Sequence, residues 1–186
     1  PQRTGLYELG IERLDDGEVS TWFHDKAQHG ETIEVLGPVG GHFVLDESNT
    51  RPALLIGGGS GVVPLLSMAA QRVGAYSQAH TTLLVAARHL DEVLLWPTLQ
   101  RWEAFTPRFR SRLALSRDTC APRAQDHVGR IDGADVAWAL QQLGDVATES
   151  AQVFICGHND FVESIVHMVT GLNVPEVSIR TERFGS

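Results

Sequence analysis

Residues 53–64 read Ala53-Leu54-Leu55-Ile56-Gly57-Gly58-Gly59-Ser60-Gly61-Val62-Val63-Pro64. A continuous apolar run bounded by glycines predicts a strand covered on both faces. The residues after Gly61 predict a helix through Ala70. A strand that runs into glycines and then a helix offers free backbone N–H groups and a positive dipole end to an anion. Glycine allows the close approach and the unusual torsions such a turn needs. By itself, a Gly-rich turn is weak evidence, since roughly one in three such turns is only a tight connection.

Outward from this stretch, strands and helices alternate. Residues 81–87 repeat the buried-strand pattern, 99–105 predict a helix, 109–116 a strand and 133–143 a helix. Residues 153–156 predict a further strand, 161–170 a helix and 176–180 a last strand. This rhythm predicts an α/β fold with a doubly wound, mostly parallel sheet. Upstream the pattern differs. Residues 6–14, 32–36 and 42–45 read as strands, and Gly17 opens a short helix that ends before Gly30. The polar segment 46–52, with Pro52 unsuited to a central strand, marks the expected domain boundary.

The chain has 186 residues, 42% hydrophobic and 20% charged, which suits one globular domain and a fraction. Its net charge of −8 argues against a nucleic-acid partner, which needs a basic footprint. Arginine supplies all the basic residues except Lys26, and seven arginines fall between Arg101 and Arg130. Two cysteines, Cys120 and Cys156, are too few for a disulfide framework or an iron–sulfur cluster. No cluster of His, Asp or Glu at ligand spacing predicts a metal. No apolar run reaches a membrane span, and Pro1-Gln2-Arg3-Thr4 has no signal pattern, so a cytoplasmic protein without a membrane partner is expected.

Two further motifs lie at strand ends. Ile155-Cys156-Gly157-His158-Asn159 is again a strand turning at a glycine into a helix. A cysteine there either faces the crevice where ligands bind in such sheets or is a buried, inert thiol. His158 reads as a surface or capping histidine. The chain ends Arg180-Thr181-Glu182-Arg183-Phe184-Gly185-Ser186, whose aromatic is either ordinary packing or a lid on a flat ring. The glycine loop also departs from the usual NAD fingerprint. Pro64 stands where a third glycine is usual, and Ala86-Ala87-Arg88 provides no acid for a ribose 2′-hydroxyl.

Taken in order, these motifs resemble the ferredoxin–NADP reductase-like flavoproteins, over essentially the whole chain. The resemblance implies an FAD-binding antiparallel barrel followed by an NAD(P)-binding domain. Gly17-Glu18-Val19-Ser20 is similar to the family's Gly-x-x-Ser/Thr helix start. It implies that Gly17, Val19, Ser20 and Thr21 hold the FAD pyrophosphate. Residues 37–43 resemble the Gly-Pro-rich end of the barrel. Gly59, Ser60, Gly61, Val62 and Pro64 resemble the Gly-x-Gly-x-x-Pro nucleotide loop. Arg88, Ser116 and Arg117 fall where the family contacts the adenosine ribose and any 2′-phosphate. Cys156-Gly157 resembles its Cys-Gly pair beside the nicotinamide, and Glu182-Arg183-Phe184 its Glu-x-aromatic end near the flavin. His158 replaces the proline common after Cys-Gly.

The family's Arg-x-Tyr-Ser signature is absent, and its place would be upstream of Pro1. The resemblance therefore implies a piece of a longer protein: residues 1–50 as the C-terminal half of the barrel and 51–186 as the nucleotide domain. The implied activity passes electrons from NAD(P)H through FAD to an acceptor such as a ferredoxin or another iron–sulfur protein. Cys156, Glu182 and Phe184 would carry the catalytic contacts. Two other classes stay open: a flavin reductase supplying a monooxygenase, and a nucleotide-binding fragment without redox activity. Arg117 is either a phosphate contact, giving a mild NADPH preference, or a solvated arginine. The remaining arginines from 101 to 123 read as surface charge or as a docking patch for an acidic acceptor.

Overall fold

The computed structural model describes residues 5–37, 41–46, 48–144 and 150–184. Its centre is a six-stranded sheet of β1 (Ala53–Gly58), β2 (Thr81–Ala87), β3 (Phe109–Leu115), β4 (His127–Val128), β5 (Gln152–Gly157) and β6 (Ile179–Arg183). The order is β4-β3-β2-β1-β5-β6, and every neighbouring pair is parallel. The chain builds outward from β1 in one direction and then returns to place β5 on its other side. That reversal puts a crevice at the carboxyl ends of β1 and β5, where open α/β sheets take their ligands.

The strand sequences explain this arrangement. Along β1, Ala53 and Leu55 face one layer, while Leu54 and Ile56 face the other. The first layer is closed by Leu65, Leu66 and Ala69 of α2 (Val62–Gly74) and by Leu99 of α3 (Trp96–Phe105). Opposite stand Val136 and Ala139 of α4 (Gly133–Gln141), with Val162, Ile165 and Val169 of α5 (Asn159–Gly171). Each fully buried Leu, Ile or Phe contributes about 1.5–3 kcal/mol, so the two layers supply most of the driving force. The doubly wound parallel sheet expected from the alternation is therefore present.

The N-terminal part differs from expectation. Residues 6–14, 32–36 and 42–45 form no strand, and the antiparallel half-barrel is not formed among the described residues. Among the described residues there, the only regular element is α1 (Glu18–Asp25). Alternating apolar residues mark a surface suited to half-burial, but a strand also needs a neighbour to close its ladder. Among the described residues these segments have none, and Leu6, Leu9, Val35 and Leu36 are exposed. The 41–46 segment instead docks as irregular chain on β5 and β6. Leu45 is buried, Phe43 meets Phe154 edge to face at 5.4 Å, and Arg180 donates to the Val44 carbonyl. Residues 38–40 of the expected Gly-Pro-rich turn, and Gly185-Ser186, lie outside the described residues.

Smaller differences have local causes. Helix α3 starts at Trp96, before the predicted 99, because Pro97 suits a first helical turn. The last strand starts at Ile179, after a single 3₁₀ turn at Glu176–Ser178. Strand β4 has two residues, too few to leave a periodic signal. Arg112 and Arg123 are not surface charge. Arg112 pairs with buried Asp135 at 3.0 Å, and Arg123 is held by Glu103 and Asp126 over the Trp96 ring.

Candidate functional site

The glycine loop joins β1 to α2. Gly59 has φ +58°, in the left-handed region that favours glycine, and Gly59–Gly61 makes one 3₁₀ turn. Helix α2 follows with no side-chain cap, and its Val62 N–H turns back to the Gly59 and Ser60 carbonyls, so the positive end of the helix dipole is what the turn offers an anion. Pro64 lies in the first turn, where its missing N–H costs nothing. Gly61 touches the end of β5: a Cβ there would lie 2.5 Å from the Cys156 carbonyl oxygen and 2.7 Å from the Gly157 nitrogen. The loop and the Cys-Gly pair thus meet backbone to backbone, and Val62 is buried behind them.

Register brings the next residues in. Cys156 pairs with Gly57 on one side and with Glu182 on the other, and Gly157 pairs with Arg183. The Phe184 N–H donates to the Gly157 carbonyl at 3.1 Å, leaving the Phe184 ring half exposed beside the strand end. Glu182 lies 3.4 Å from His42 Nε2. Of the three expected catalytic residues, Glu182 and Phe184 keep accessible surface, whereas Cys156 is wholly buried in the layer with Phe154 and Leu45. His158 occupies the N-cap position of α5, but its side chain makes no cap bond and is exposed.

Burial, and after it the negative charge of Glu182, push the Cys156 thiol from 9.0 up to about 12. A neutral, enclosed thiol packs; it does not act as a nucleophile. Exposed Cys120 should therefore react alone with an aromatic disulfide reagent at neutral pH, and Cys156 only after unfolding. Rapid labelling of both thiols in the native protein would contradict this burial. The folded value is the raised one, so the stability it contributes is full below pH 9 and is lost as pH rises toward about 12.

The carboxyl ends of β2 and β3 form the other wing of the crevice. The Ser116 N–H donates to the Ala87 carbonyl at 3.0 Å and the Arg117 N–H to the Arg88 carbonyl at 2.9 Å, so the expected ribose-contact residues stand together. Arg88 is ion-paired with Glu92 at 3.0 Å. Desolvation raises Glu92, but bonds from the Arg88 side chain and backbone, with the charges of Arg88 and His89, hold it below its ordinary value. The His89 ring bonds Asp118 at 2.8 Å, and Asp118 also accepts from the Leu90 N–H at 2.9 Å. The His89 bond is the main cause that lowers Asp118. His89, Leu90 and Asp118, with Trp96 and Pro97, line an open depression of about 620 Å³. Glu92, His89 and Asp118 escaped the sequence reading. His89 and Asp118 were one step beyond the motif positions Arg88 and Arg117, a signal that strand pairing alone would have exposed.

The residues expected at the FAD pyrophosphate lie on α1. Gly17 is its N-cap residue and makes no side-chain cap bond. Thr21 Oγ1 donates to the Gly17 carbonyl, and Ser20 Oγ accepts from the Leu14 N–H, so both hydroxyls already serve the turn. Val19 joins Leu9, Ile11, Leu14 and Phe23 around a second open, mainly apolar depression of about 560 Å³. Gly10 sits against Val63 of α2, which brings this depression beside the glycine loop.

One further cluster stands apart. His127, Asp132 and Asp135 place ligand atoms within 4.8 Å of one another. Asp132 and Asp135 form the reciprocal capping box of α4, and the Arg112 guanidinium already neutralises Asp135. Their proximity follows from that cap.

The oxidoreductase NAD-binding domain family matches residues 55–167, from inside β1 through the glycine loop and the Cys-Gly pair into α5. The chain belongs to this family. Among curated relatives, ferredoxin–NADP reductase B of Sorangium cellulosum is 28% identical across 99% of the chain and 74% of its own length. The flavohemoprotein of Bacillus subtilis is 29% identical across 96% of the chain but only 43% of its own length. By shape, the chain is similar to the FAD/NAD-binding domain of a Vibrio cholerae nitric oxide dioxygenase. The TM-score is 0.77 at 19% identity, covering 91% of this chain and 65% of that one. Proteins named ferredoxin–NADP reductase and flavohemoprotein are thus similar to this chain over nearly its whole length. Among the described residues no helix is long and apolar enough to cross a membrane.

Proposed function

We propose that the chain is part of an NAD(P)H-dependent flavoprotein reductase, with residues 51–186 as its nucleotide domain and 1–50 as part of its flavin-binding domain. The observation that carries this reading is the contact of Gly61 with the Cys156 and Gly157 backbone. That contact joins an uncapped helix N-terminus to the end of β5, which pairs with Glu182 and binds the Phe184 N–H, in one crevice at the reversal of strand order. Relatives named as ferredoxin reductase and flavohemoprotein support the same electron-transfer class.

The residues present suit FAD. The uncapped α1 start offers N–H groups to a pyrophosphate, and the apolar depression beside it offers a surface for a flat ring system. FAD, when bound, supplies the hydride acceptor and divides the electron pair. The chain's own part is positioning. Gly59, Ser60, Gly61 and Val62 bind the nucleotide phosphates through α2's dipole, and Pro64 sets the first turn. Ser116, Arg117 and Arg88 face the adenosine ribose. The neutral Cys156 thiol gives a close-packed wall, Glu182 places a carboxylate at the strand end, and Phe184 offers an aromatic face that nicotinamide displaces. The acceptor is a ferredoxin, another iron–sulfur protein or a haem domain.

The test is anaerobic flavin reduction. With FAD added, the chain should bleach the flavin absorbance on addition of NADH or NADPH. Phe184→Ala should change the nicotinamide affinity and the reduction rate on the order of ten-fold, and FAD content less. Unchanged reduction kinetics in Phe184→Ala would remove its assigned role. A chain that binds nucleotide yet never reduces flavin would make it a binding module instead.

A further inference from the structure

We propose that Glu92 is the residue that sets nucleotide choice, turning the site against a 2′-phosphate and toward NADH. The inference rests on the reading of this crevice as a pyridine-nucleotide site and goes one step deeper into it. The linear sequence offers no acid at the end of β2, where Ala87-Arg88 stands. The chain then makes a 3₁₀ turn at Leu90–Glu92 and carries an acid back to that strand end. Arg88 Nε–H donates to Glu92 Oε2 at 3.2 Å, Nη2 lies 3.0 Å from Oε1, and the Arg88 backbone N–H also donates to Oε2 at 3.2 Å.

Two consequences follow for the ligand. A phosphate is best held by the paired N–H edge of a guanidinium, and Glu92 occupies that edge of Arg88. A ribose 2′-hydroxyl, by contrast, is a neutral donor that a carboxylate accepts well. Asp118 adds a second anion at the same strand ends, fixed by His89 and the Leu90 N–H. Arg117 is exposed and, among the described residues, its side chain makes no ion pair. It is the cation left to attract a 2′-phosphate, and Glu92 and Asp118 work against it.

The exposed Arg88–Glu92 pair is weak in itself, so removing the charge acts by freeing the guanidinium and ending repulsion of a dianion. Isothermal titration of the whole chain with 2′,5′-ADP and with 5′-AMP reads both ligand types without needing flavin. Glu92→Gln should tighten 2′,5′-ADP by about five-fold, with no gain for 5′-AMP. The gain should vanish in the Glu92→Gln, Arg88→Ala double variant. Binding of both probes with an affinity ratio unmoved by Glu92→Gln would overturn this assignment and leave the nucleotide site standing. An equal gain in the double variant would also overturn it, since Arg88 would then play no part. Failure of the wild-type chain to bind either probe or NADH would instead remove the nucleotide reading, and this inference with it.

Discussion

Replacing Gly61 by alanine should lower the melting temperature by roughly 4–16 °C and abolish dinucleotide binding. The cause is steric, because Gly61 has φ −60°, a value alanine adopts without strain. The added methyl would stand 2.5 Å from the Cys156 carbonyl oxygen and 2.6 Å from its carbon. Both are backbone atoms of a strand paired on either side, so no side chain can swing away. Either α2 or β5 must move, at a cost of about 2–4 kcal/mol. That movement also separates the helix start from the Cys-Gly turn, which is why binding should fail with stability. Gly59→Ala is the control. It has open space around it but φ +58°, so it should cost only about 1 kcal/mol through backbone strain. Urea denaturation of the two variants distinguishes the causes. Equal stability of Gly61→Ala and the wild type would mean that loop and strand do not touch.

Asp126→Ala should be the other severe variant. The Asp126 side chain is wholly buried and accepts the Leu113 N–H at 2.9 Å. It also takes both Arg123 Nε–H at 2.8 Å and Nη2–H at 2.7 Å. Arg123 in turn binds Glu103 of α3, donates to Ser111 of β3 and lies over Trp96 at 4.6 Å. This network fastens α3 and the 123–126 segment to β3, the strand that ends at Ser116-Arg117. Removing the carboxylate strands an arginine and orphans a buried N–H, for about 3–5 kcal/mol. At this chain length that is a fall of roughly 6–20 °C in melting temperature. Asp126→Asn keeps the shape and one acceptor and should fall between the two. A melting curve for Asp126→Ala within a degree or two of wild type would show that the network carries no stability.

The legible part of the fold was the part covered on both faces. Residues 53–56, 83–87 and 153–156 are unbroken apolar runs because helices pack on each side, and periodicity plus punctuation found them. Residues 6–14 and 32–36 carry the alternation of a half-buried strand, yet among the described residues no neighbour pairs with them, and alternation reports a face rather than a ladder. Strand β4 was invisible because His127-Val128 is shorter than one period of evidence from alternation. At the site, the Gly59–Pro64 loop and Cys156-Gly157 stood out as turn chemistry, but their contact depends on a parallel register that no local pattern encodes. The thiol's burial likewise came from the layer it shares with Leu45, Leu65 and Leu83, far away in sequence. Glu92 was missed because its meeting with Arg88 is made by a single 3₁₀ turn, whose sequence Leu90-Asp91-Glu92 reads as ordinary polar loop. Arg112 and Arg123 were read as surface charge because an arginine's partners, here Asp135, Glu103 and Asp126, lie on other elements.

The most direct measurement is amide hydrogen exchange along the whole chain with and without NADH. A nucleotide seated in the crevice should slow exchange at residues 59–63, where the loop enters α2, and at 157–159, where β5 turns into α5. No slowing at either segment under saturating NADH, or slowing confined to other regions, would contradict a nucleotide site at the carboxyl ends of β1 and β5.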